Sequence, residues 1–270
     1  MKGRHIDIMG IINLTDDSFY AESRCQDLSA VLDKVRQMLE EGADIIDFGA
    51  CSSRPGSEPV GPDVEWERLE PVLKAVRKEW PELRISIDTT SSSVVSRAYD
   101  VAGDIIVNDI SAGNDDHQML PLVGKLGLTY IAMHMRGNSR TMQQMTVYDD
   151  VVEDVKAYFD DFAERAQANG IRRWILDPGF GFAKTAAQNY HMLKNLRRLK
   201  TPYPSYGMPQ ILVGVSRKSM IYKELSITPE ESLPQTQVLH LKALQEGAGM
   251  LRVHDVAEAV RTVEVFWRLC

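Results

Sequence analysis

The chain has 270 residues, of which 44% are hydrophobic and 26% are charged, and its formal net charge is −7. A chain of this length can bury a large core, either as two small domains or as one α/β barrel. The acidic balance argues against a general nucleic-acid binder, because phosphate-backbone affinity depends on a broad surplus of Lys and Arg. The composition therefore indicates a globular protein and leaves a local basic pocket open.

The cysteines and the opening segment bear on the compartment. Cys25, Cys51 and Cys270 are odd in number and widely spaced, which suits a reducing compartment better than a disulfide framework. His5 and Asp7 interrupt an opening apolar stretch that is too short for a signal peptide's core, and no apolar run is long enough to span a bilayer. We predict a cytoplasmic protein that binds neither nucleic acid nor membrane.

Short apolar runs rich in Ile and Val alternate with longer amphipathic segments along the chain. In order, the runs are HIDIMGIIN, DIIDFGA, RISIDTT, DIIVNDIS, TYIAMHM, RWILDPGF, QILVGVS and GMLRVHD. Between them, segments such as LSAVLDKVRQMLEEGA have apolar residues spaced by three and four, which predicts helices. This alternation predicts an all-parallel sheet closed into a (β/α)8 TIM barrel, with residues 1–270 as a single domain. The proline-rich segment 200–210 is predicted to be a loop before the seventh strand.

Polar residues follow the predicted strands. Catalytic groups of such barrels lie at the C-terminal ends of the strands, because the loops there converge over one mouth. These ends carry Asn13, Ser53 with Arg54, Asp88, Asn108 with Asp109, His134, Asp177, Ser216 with Lys218, and Arg252 with His254. The sequence therefore predicts a polar site at one mouth of the barrel.

The first and last strands meet when the barrel closes, and this brings several anion-binding side chains together. Arg252 and His254 share a face of the last strand, Arg54 follows the second strand, and Asn13 ends the first. We predict a site for phosphate or pyrophosphate, whose oxygens accept several charge-assisted hydrogen bonds. The alternative is that Arg252 and His254 satisfy acidic neighbours such as Asp255. Asn13 is either a turn residue or an oxygen ligand of Mg²⁺ bound to pyrophosphate.

A second group consists of Asp88, Asn108, Asp177 and Lys218. A buried carboxylate can accept two parallel hydrogen bonds from an amino-pyrimidinone edge, while an amide and a Lys satisfy the neighbouring ring atoms. This predicts a site for a polar heterocycle, with Phe182 either lining the slot or packing in the core. Asp88 and Asp177 have a structural alternative as capping or turn residues.

The segment GVSRKSM contains a further candidate. Ser216 ends the seventh strand, and its hydroxyl and the backbone N–H groups of a helix start could hold a carboxylate or a phosphate. The alternative for this segment is a solvated basic loop.

These motifs resemble those of the dihydropteroate synthases, in the same order over nearly the whole chain. The matching segments are MGIINLTDDSF, GADIIDFGACSSRPG, ISIDT, IVNDISAG, MHMRGNSRTMQ, ILDPGFGF, VGVSRKS and RVHDV. The resemblance implies a transferase that joins para-aminobenzoate to 6-hydroxymethyl-7,8-dihydropterin diphosphate, with Mg²⁺ present, and that releases pyrophosphate and forms 7,8-dihydropteroate for folate synthesis. It also implies an SN1-like route through a pterin methylene cation, and a homodimer.

The resemblance further implies roles for individual residues. The catalytic residues would be Asp88, Lys218, Arg252 and His254, with His254 as an anion ligand rather than a base because the arylamine already has a free lone pair. The pterin ring would contact Asp88, Asn108, Met133, Asp177, Phe182 and Lys218. The diphosphate would contact Asn13, Ser53, Arg252 and His254, and Asn13 would also ligate the metal. Para-aminobenzoate would contact Ser53, Arg54, Pro55, Phe182 and Ser216.

The chain departs from the family pattern mainly in its first two loops. The family usually reads Thr-Pro-Asp-Ser-Phe-Ser-Asp-Gly-Gly where residues 15–23 read TDDSFYAES, and Cys51 replaces a usual Glu. Loss of the paired glycines removes conformational freedom from a loop expected to close over substrate. Two alternatives stay open: a methyltetrahydrofolate-dependent methyltransferase of the same superfamily, which needs no diphosphate site, and a pterin-binding paralogue without turnover.

Overall fold

The fold is a closed barrel of parallel strands surrounded by helices. The computed structural model describes residues 5–14, 24–51, 60–138, 140–204 and 206–270. Within these residues the strands are β1 (Asp7–Asn13), β2 (Ile45–Gly49), β3 (Arg84–Asp88), β4 (Ile106–Asp109), β5 (Thr129–Met133), β6 (Arg173–Asp177), β7 (Gln210–Val213) and β8 (Met250–Val253). The helices are α1 (Arg24–Glu40), α2 (Pro62–Glu79), α3 (Ser92–Ala102), α4 (Met119–Leu126), α5 (Val151–Ala168), α6 (Ala186–Lys194), α7 (Ser219–Leu225), α8 (Leu233–Gln245) and α9 (Val256–Leu269).

Each strand pairs in parallel with the next, and β1 pairs with β8 to close the barrel. The predicted fold class is therefore confirmed. Strict alternation fails once, because both α7 and α8 lie between β7 and β8. Ser226 ends α7 in the left-handed conformation at φ 53°, and α8 begins anew with a proline in its first turn.

Local signals explain where several helices begin. The Asp150 carboxylate accepts hydrogen bonds from the backbone N–H groups of Val152 and Glu153 at the start of α5. Thr185 and Gln188 form a reciprocal capping box at the start of α6. Among the helices of the described ranges, none is long and apolar enough to cross a membrane.

Two apolar layers hold the barrel together. Large side chains such as Phe48, Tyr130 and Trp174 are fully buried in the larger cluster, which includes strand and helix residues. A smaller cluster fills the barrel interior and consists of Met9, Ile45, Ile106, Ile131, Ile175, Leu212 and Met250. Side chains two residues apart on a strand point to the same face, so the residues two positions beyond this interior layer also point into the barrel. Those residues form the floor of the mouth.

Candidate active site

The floor of the mouth is a layer of mostly polar side chains above the apolar interior. Its members lie two positions after Ile45, Ile106, Ile131, Ile175 and Met250, and they are Asp47, Asn108, Met133, Asp177 and Arg252. Directly after β7 the corresponding position is Gly214, where a Cβ would lie 3.8 Å from the Arg252 Cβ and 3.9 Å from the Lys218 Nζ. The glycine therefore leaves room beside two cationic side chains.

Arg252 joins two carboxylates in this layer. Its Nε donates to Asp47 Oδ2 at 2.7 Å, and its Nη2 lies 2.6 Å from the same oxygen and 2.7 Å from Asp88 Oδ2. Asn108 Nδ2 also donates to Asp47 Oδ2, at 3.1 Å, whereas the buried Asp47 Oδ1 has no hydrogen-bond partner among the described residues. The predicted anion group and the predicted heterocycle group are thus joined through Arg252.

The charged groups in this cluster shift one another's pKa values. Burial raises the pKa of Asp88 to about 7; Arg252 opposes this rise and Asp47 adds to it. Burial disfavours the Arg252 guanidinium, but the carboxylates of Asp47 and Asp88 outweigh burial and raise its pKa. Arg252 is therefore permanently charged, whereas Asp88 can change its protonation state near neutral pH.

His254, which follows β8, is held by Ser216, which follows β7. The Ser216 Oγ accepts a hydrogen bond from the backbone N–H of His254 at 3.3 Å and lies 3.0 Å from His254 Nδ1. Desolvation by the walls of the mouth and the charge of Arg252 lower the pKa of His254 to about 4, although part of the ring reaches solvent. His254 is therefore neutral near pH 7 and can offer hydrogen bonds but no charge.

Asp255 is satisfied by Arg217 rather than by Arg252 or His254. Arg217 Nε and Nη2 donate to the two Asp255 carboxylate oxygens at 2.8 and 2.6 Å. Arg217 adopts φ 52°, in the left-handed region, between Ser216 and Lys218. This ion pair ties the loop after β7 to the loop after β8, and we call it the Arg217–Asp255 clamp.

Breaking the clamp is expected to disturb the site without removing a group from it. Arg217→Met should lower the free energy of unfolding by about 2 kcal/mol, because a bidentate, partly buried charged pair is lost. It should also raise the KM of a substrate that binds beside Ser216 several-fold, through displacement of that side chain. Urea unfolding and steady-state kinetics check this, with Arg36→Met as the control because its ion pairs are exposed. Equal effects of the two substitutions would contradict a role for the clamp.

The third part of the mouth is built by the loop after β6. Asp177 Oδ1 accepts the Gly179 N–H at 2.8 Å, and Lys218 Nζ donates to the Phe180 carbonyl at 2.6 Å. Lys218 Nζ also lies 5.0 Å from the centroid of the Phe182 ring. Burial lowers the pKa of Lys218 to about 8, and Asp177 opposes that fall. Phe180 is the fully buried core residue, whereas Phe182 is only half-buried and lines the mouth beside Lys218.

Asn13 lies at the exposed end of β1. Its Oδ1 is 3.7 Å from the position that a Cβ on Gly49 would occupy, and the same position is 3.4 Å from the Asp88 Cβ. The Asn13 amide oxygen and the Asp88 side chain therefore both border Gly49. Met133 is buried at the end of β5. The predicted residues Ser53, Arg54 and Pro55, and the atypical loop 15–23, lie outside the described residues.

Two strand-end residues do not belong to the mouth. The Asp109 carboxylate accepts hydrogen bonds from Ser111, Gly113 and Tyr130, and so stabilises the turn after β4. His134 is buried and its Nδ1 lies 2.9 Å from Lys184 Nζ. Strand ends alternate between the barrel interior and its outside, which explains why neighbouring polar residues separate.

Asp47 belongs to this site, and Lys184 bonds two carbonyls of the loop after β6 that lines it, but neither residue is in the sequence prediction. Asp47 lies inside the apolar run DIIDFGA, two positions after the interior Ile45. A charged residue in the middle of a buried strand is the signal that could have identified it. Lys184 closes the segment DPGFGFAK, and no periodicity distinguishes it from an exposed lysine.

Comparison with known proteins gives consistent results. The model of the family described as pterin binding enzyme matches residues 9–254. Dihydropteroate synthase of Synechocystis sp. is 38% identical over 272 residues, which cover 98% of this chain and 92% of that protein. The solved dihydropteroate synthase of Clostridium difficile, determined in the presence of pteroic acid, has a TM-score of 0.89 at 34% identity, covering 99% of this chain and 97% of that one. The Thermus thermophilus enzyme in complex with 4-aminobenzoate has a TM-score of 0.85 at 33% identity, covering 98% and 95%.

A closed parallel barrel with this charged and amide-lined mouth, together with the family match, defines a pterin-binding enzyme. The chain belongs to the dihydropteroate synthase family, whose members match it over nearly its whole length. The predicted family and the predicted transferase class are therefore confirmed, and the relatives favour the synthase over the methyltransferase alternative.

Proposed function

We propose that this chain condenses 6-hydroxymethyl-7,8-dihydropterin diphosphate with para-aminobenzoate at the barrel mouth, giving 7,8-dihydropteroate and pyrophosphate. The observation that carries this assignment is the layer in which Arg252, Asp88 and Asp47 are joined next to Asn108. It combines permanent positive charge with carboxylates within hydrogen-bond distance. A reaction that separates an anionic leaving group from a cationic carbon needs both.

The pterin ring binds over the floor of the mouth. Asp177 accepts hydrogen bonds from the amino-pyrimidinone edge, and Asn108 and Lys218 bond the neighbouring ring atoms. Met133 forms the apolar part of the floor. Support comes from the burial of Asn108, Met133 and Asp177 and from their common direction on the neighbouring strands β4, β5 and β6.

The diphosphate leaves on the side of β1 and β8. Arg252 and His254 bind its oxygens with Asn13 and Ser53. Because His254 is neutral at neutral pH, Arg252 supplies the charge and His254 supplies a directed N–H donor. When the anion binds, Arg252 therefore has to give up its hydrogen bond to Asp88 or to share that N–H between Asp88 and the anion.

Mg²⁺ fits this side of the mouth as an ion held mainly by the diphosphate, with the Asn13 amide oxygen as the protein ligand. When bound, the ion neutralises charge on the leaving group. Within the described ranges, the cluster of three metal-ligating side chains is His5, Asp7 and Asp44, at the opposite end of the barrel. Arg84 and Gln210 already bond the Asp7 carboxylate, and the N–H of Ile8 bonds Asp44, so this cluster fits a structural role.

Para-aminobenzoate binds between the loop after β6 and the loop after β7. Phe182 and Pro55 flank its ring, while Ser216, Ser53 and Arg54 place its carboxylate. Loss of pyrophosphate leaves a resonance-stabilised pterin methylene cation, which the Asp88 carboxylate stabilises. The neutral arylamine then attacks with its own lone pair, so the chain mainly positions the reactants and stabilises charge.

The direct test is to incubate the purified chain with the pterin diphosphate, para-aminobenzoate and Mg²⁺, and to measure pyrophosphate and 7,8-dihydropteroate. We expect both products in equal amounts. Pterin binding without pyrophosphate release would instead support the paralogue without turnover. Methyl transfer from methyltetrahydrofolate to a corrinoid acceptor would support the methyltransferase.

We also propose that residues 1–270 act as one domain and that the enzyme is a homodimer. The pairing of β1 with β8 supports the first point. The neighbouring helices α8 and α9 expose apolar side chains, including Val238, Val265 and Leu269 at 66%, 50% and 64% exposure, which supports the second. Light scattering should give twice the chain mass of 30.4 kDa. Val238→Asp with Val265→Asp should give the monomer mass, and a monomeric unaltered protein would contradict the dimer.

A further inference from the structure

Every backbone carbonyl of the segment Gly179–Ala183, in the loop after β6, accepts a hydrogen bond from a side chain. Lys184 Nζ donates to Gly179 O and Phe182 O at 3.1 Å each, Lys218 Nζ to Phe180 O at 2.6 Å, Gln143 Nε2 to Gly181 O at 3.2 Å, and Tyr148 Oη to Ala183 O at 2.9 Å. The segment has no regular secondary structure, and Gly179, Gly181 and Ala183 have positive φ angles. Its shape therefore depends on these donors.

Lys184 bonds two of the five carbonyls, and it is the most deeply buried of the four donor residues. Its third acceptor is His134 Nδ1 at 2.9 Å, so all three ammonium protons have a partner. Burial lowers the pKa of His134 well below its ordinary value, which makes the imidazole neutral. Nδ1 therefore accepts the Lys184 proton, and the ring proton lies on Nε2.

The Lys184 ammonium is connected through Gly179 to the carboxylate assigned to the pterin ring, because Lys184 bonds the Gly179 carbonyl and Asp177 accepts the Gly179 N–H. Lys184 is only 4% exposed, and none of the ion pairs in the described part of the chain includes it. Burial lowers the pKa of Lys184 to about 7, and the negative charge of Asp177 opposes that fall. Reciprocally, burial raises the pKa of Asp177, while Lys218, Arg252 and Lys184 counteract that rise.

We propose that Lys184 is a positioning residue for the reaction: supported by His134, it fixes the segment that carries Phe182 and, through Gly179, orients the Asp177 carboxylate. The inference rests on the proposed function in taking Asp177 as the pterin acceptor. Lys184 contacts no reacting atom and acts through Asp177 and Phe182. The other charged and titratable groups around Lys184, His134 and Asp177 are Arg136 after β5, Tyr148 before α5, Tyr158 on α5, Lys218 at the start of α7 and Arg252 on β8.

The test measures binding of the plain ring, 6-hydroxymethyl-7,8-dihydropterin, by titration calorimetry across pH. Lys184→Met should weaken binding about tenfold at neutral pH, because a charge-assisted network is lost. Removing the positive charge raises the pKa of Asp177 further, so affinity should begin to fall at a higher pH on acidification than in the unaltered protein. Tyr148→Phe is the matched control, since it removes one carbonyl bond of the same segment and no charge.

A second pair of variants keeps the test decisive if Lys184→Met does not fold. His134→Asn can still accept the Lys184 proton and should bind the ring nearly as well as the unaltered protein. His134→Leu cannot accept it and should bind the ring more weakly. Equal behaviour of these two variants, or of Lys184→Met and Tyr148→Phe, would overturn the inference. Asp177→Asn separates the two proposals. If Asp177→Asn binds the ring normally, the proposed pterin site itself is wrong. If Asp177→Asn weakens binding but Lys184→Met and His134→Leu do not, only the role of Lys184 is wrong.

Discussion

Asp177→Asn is expected to weaken binding of the pterin ring by roughly 10- to 100-fold, the range for a lost hydrogen bond to a charged group. The amide oxygen can still accept the Gly179 N–H, so the segment after β6 keeps its shape. The second carboxylate oxygen becomes an NH₂ group, which presents a donor to the ring's own N–H donors. The loss should therefore be one of recognition rather than of folding.

Calorimetric titration with 6-hydroxymethyl-7,8-dihydropterin measures this effect, and thermal unfolding checks that the variant remains folded. Asp104→Asn is the control, because Asp104 is exposed and lies before β4 at the other end of the barrel. Unchanged affinity in Asp177→Asn would exclude Asp177 as the ring acceptor.

Arg252→Met is expected to abolish most turnover and to lower the free energy of unfolding by about 3–5 kcal/mol, the range for a buried pair that loses one partner. The substitution leaves Asp47 and Asp88 close together with no guanidinium between them. The destabilisation should be larger at pH 8 than at pH 5. Arg252 opposes the rise that brings the folded-state pKa of Asp88 to about 7, so its loss raises that pKa further. The folded variant then keeps a proton that the unfolded state has lost, and its stability falls more with rising pH than that of the unaltered protein.

A double variant separates folding from chemistry. Asp47→Asn in the Arg252→Met background removes one of the unpaired charges, so it should recover much of the stability and none of the turnover. Urea unfolding and pyrophosphate release give the two readouts, with Arg84→Met, an exposed arginine at the opposite end, as the control. Recovery of turnover in the double variant would contradict the assignment of Arg252 to the diphosphate.

The elements of this fold could be predicted well because their signals are local. Short Ile- and Val-rich runs match all eight strands, and residues such as Asn108 and Asp177 were recognisable as strand-end polar groups. The side-chain contacts within the site are harder to predict from the sequence. Asp47 and Arg252 are 205 positions apart, and only closure of the barrel brings them into contact. Sequence reasoning therefore assigned Arg252 to an anion site and missed its carboxylate partners.

Lys184 shows a second limit. Its importance comes from burial and from three acceptors, of which His134 is 50 positions away. A lysine after a glycine-rich segment is most often exposed, so residue type and spacing alone favour the wrong environment. Side-chain networks of this kind depend on tertiary packing and become visible only with coordinates.

The apolar interior layer from Met9 to Met250 also separates two clusters of charged residues at opposite ends of the same barrel. Above it lie Arg252 and its carboxylates; below it lie Asp7, Arg84 and their neighbours. Among the described residues, no hydrogen bond or ion pair joins the two clusters, so the effects of substitutions at one end on stability should add to those at the other. The lower end can therefore accept substitutions during evolution, or be redesigned for stability, while the contacts around Arg252 stay the same.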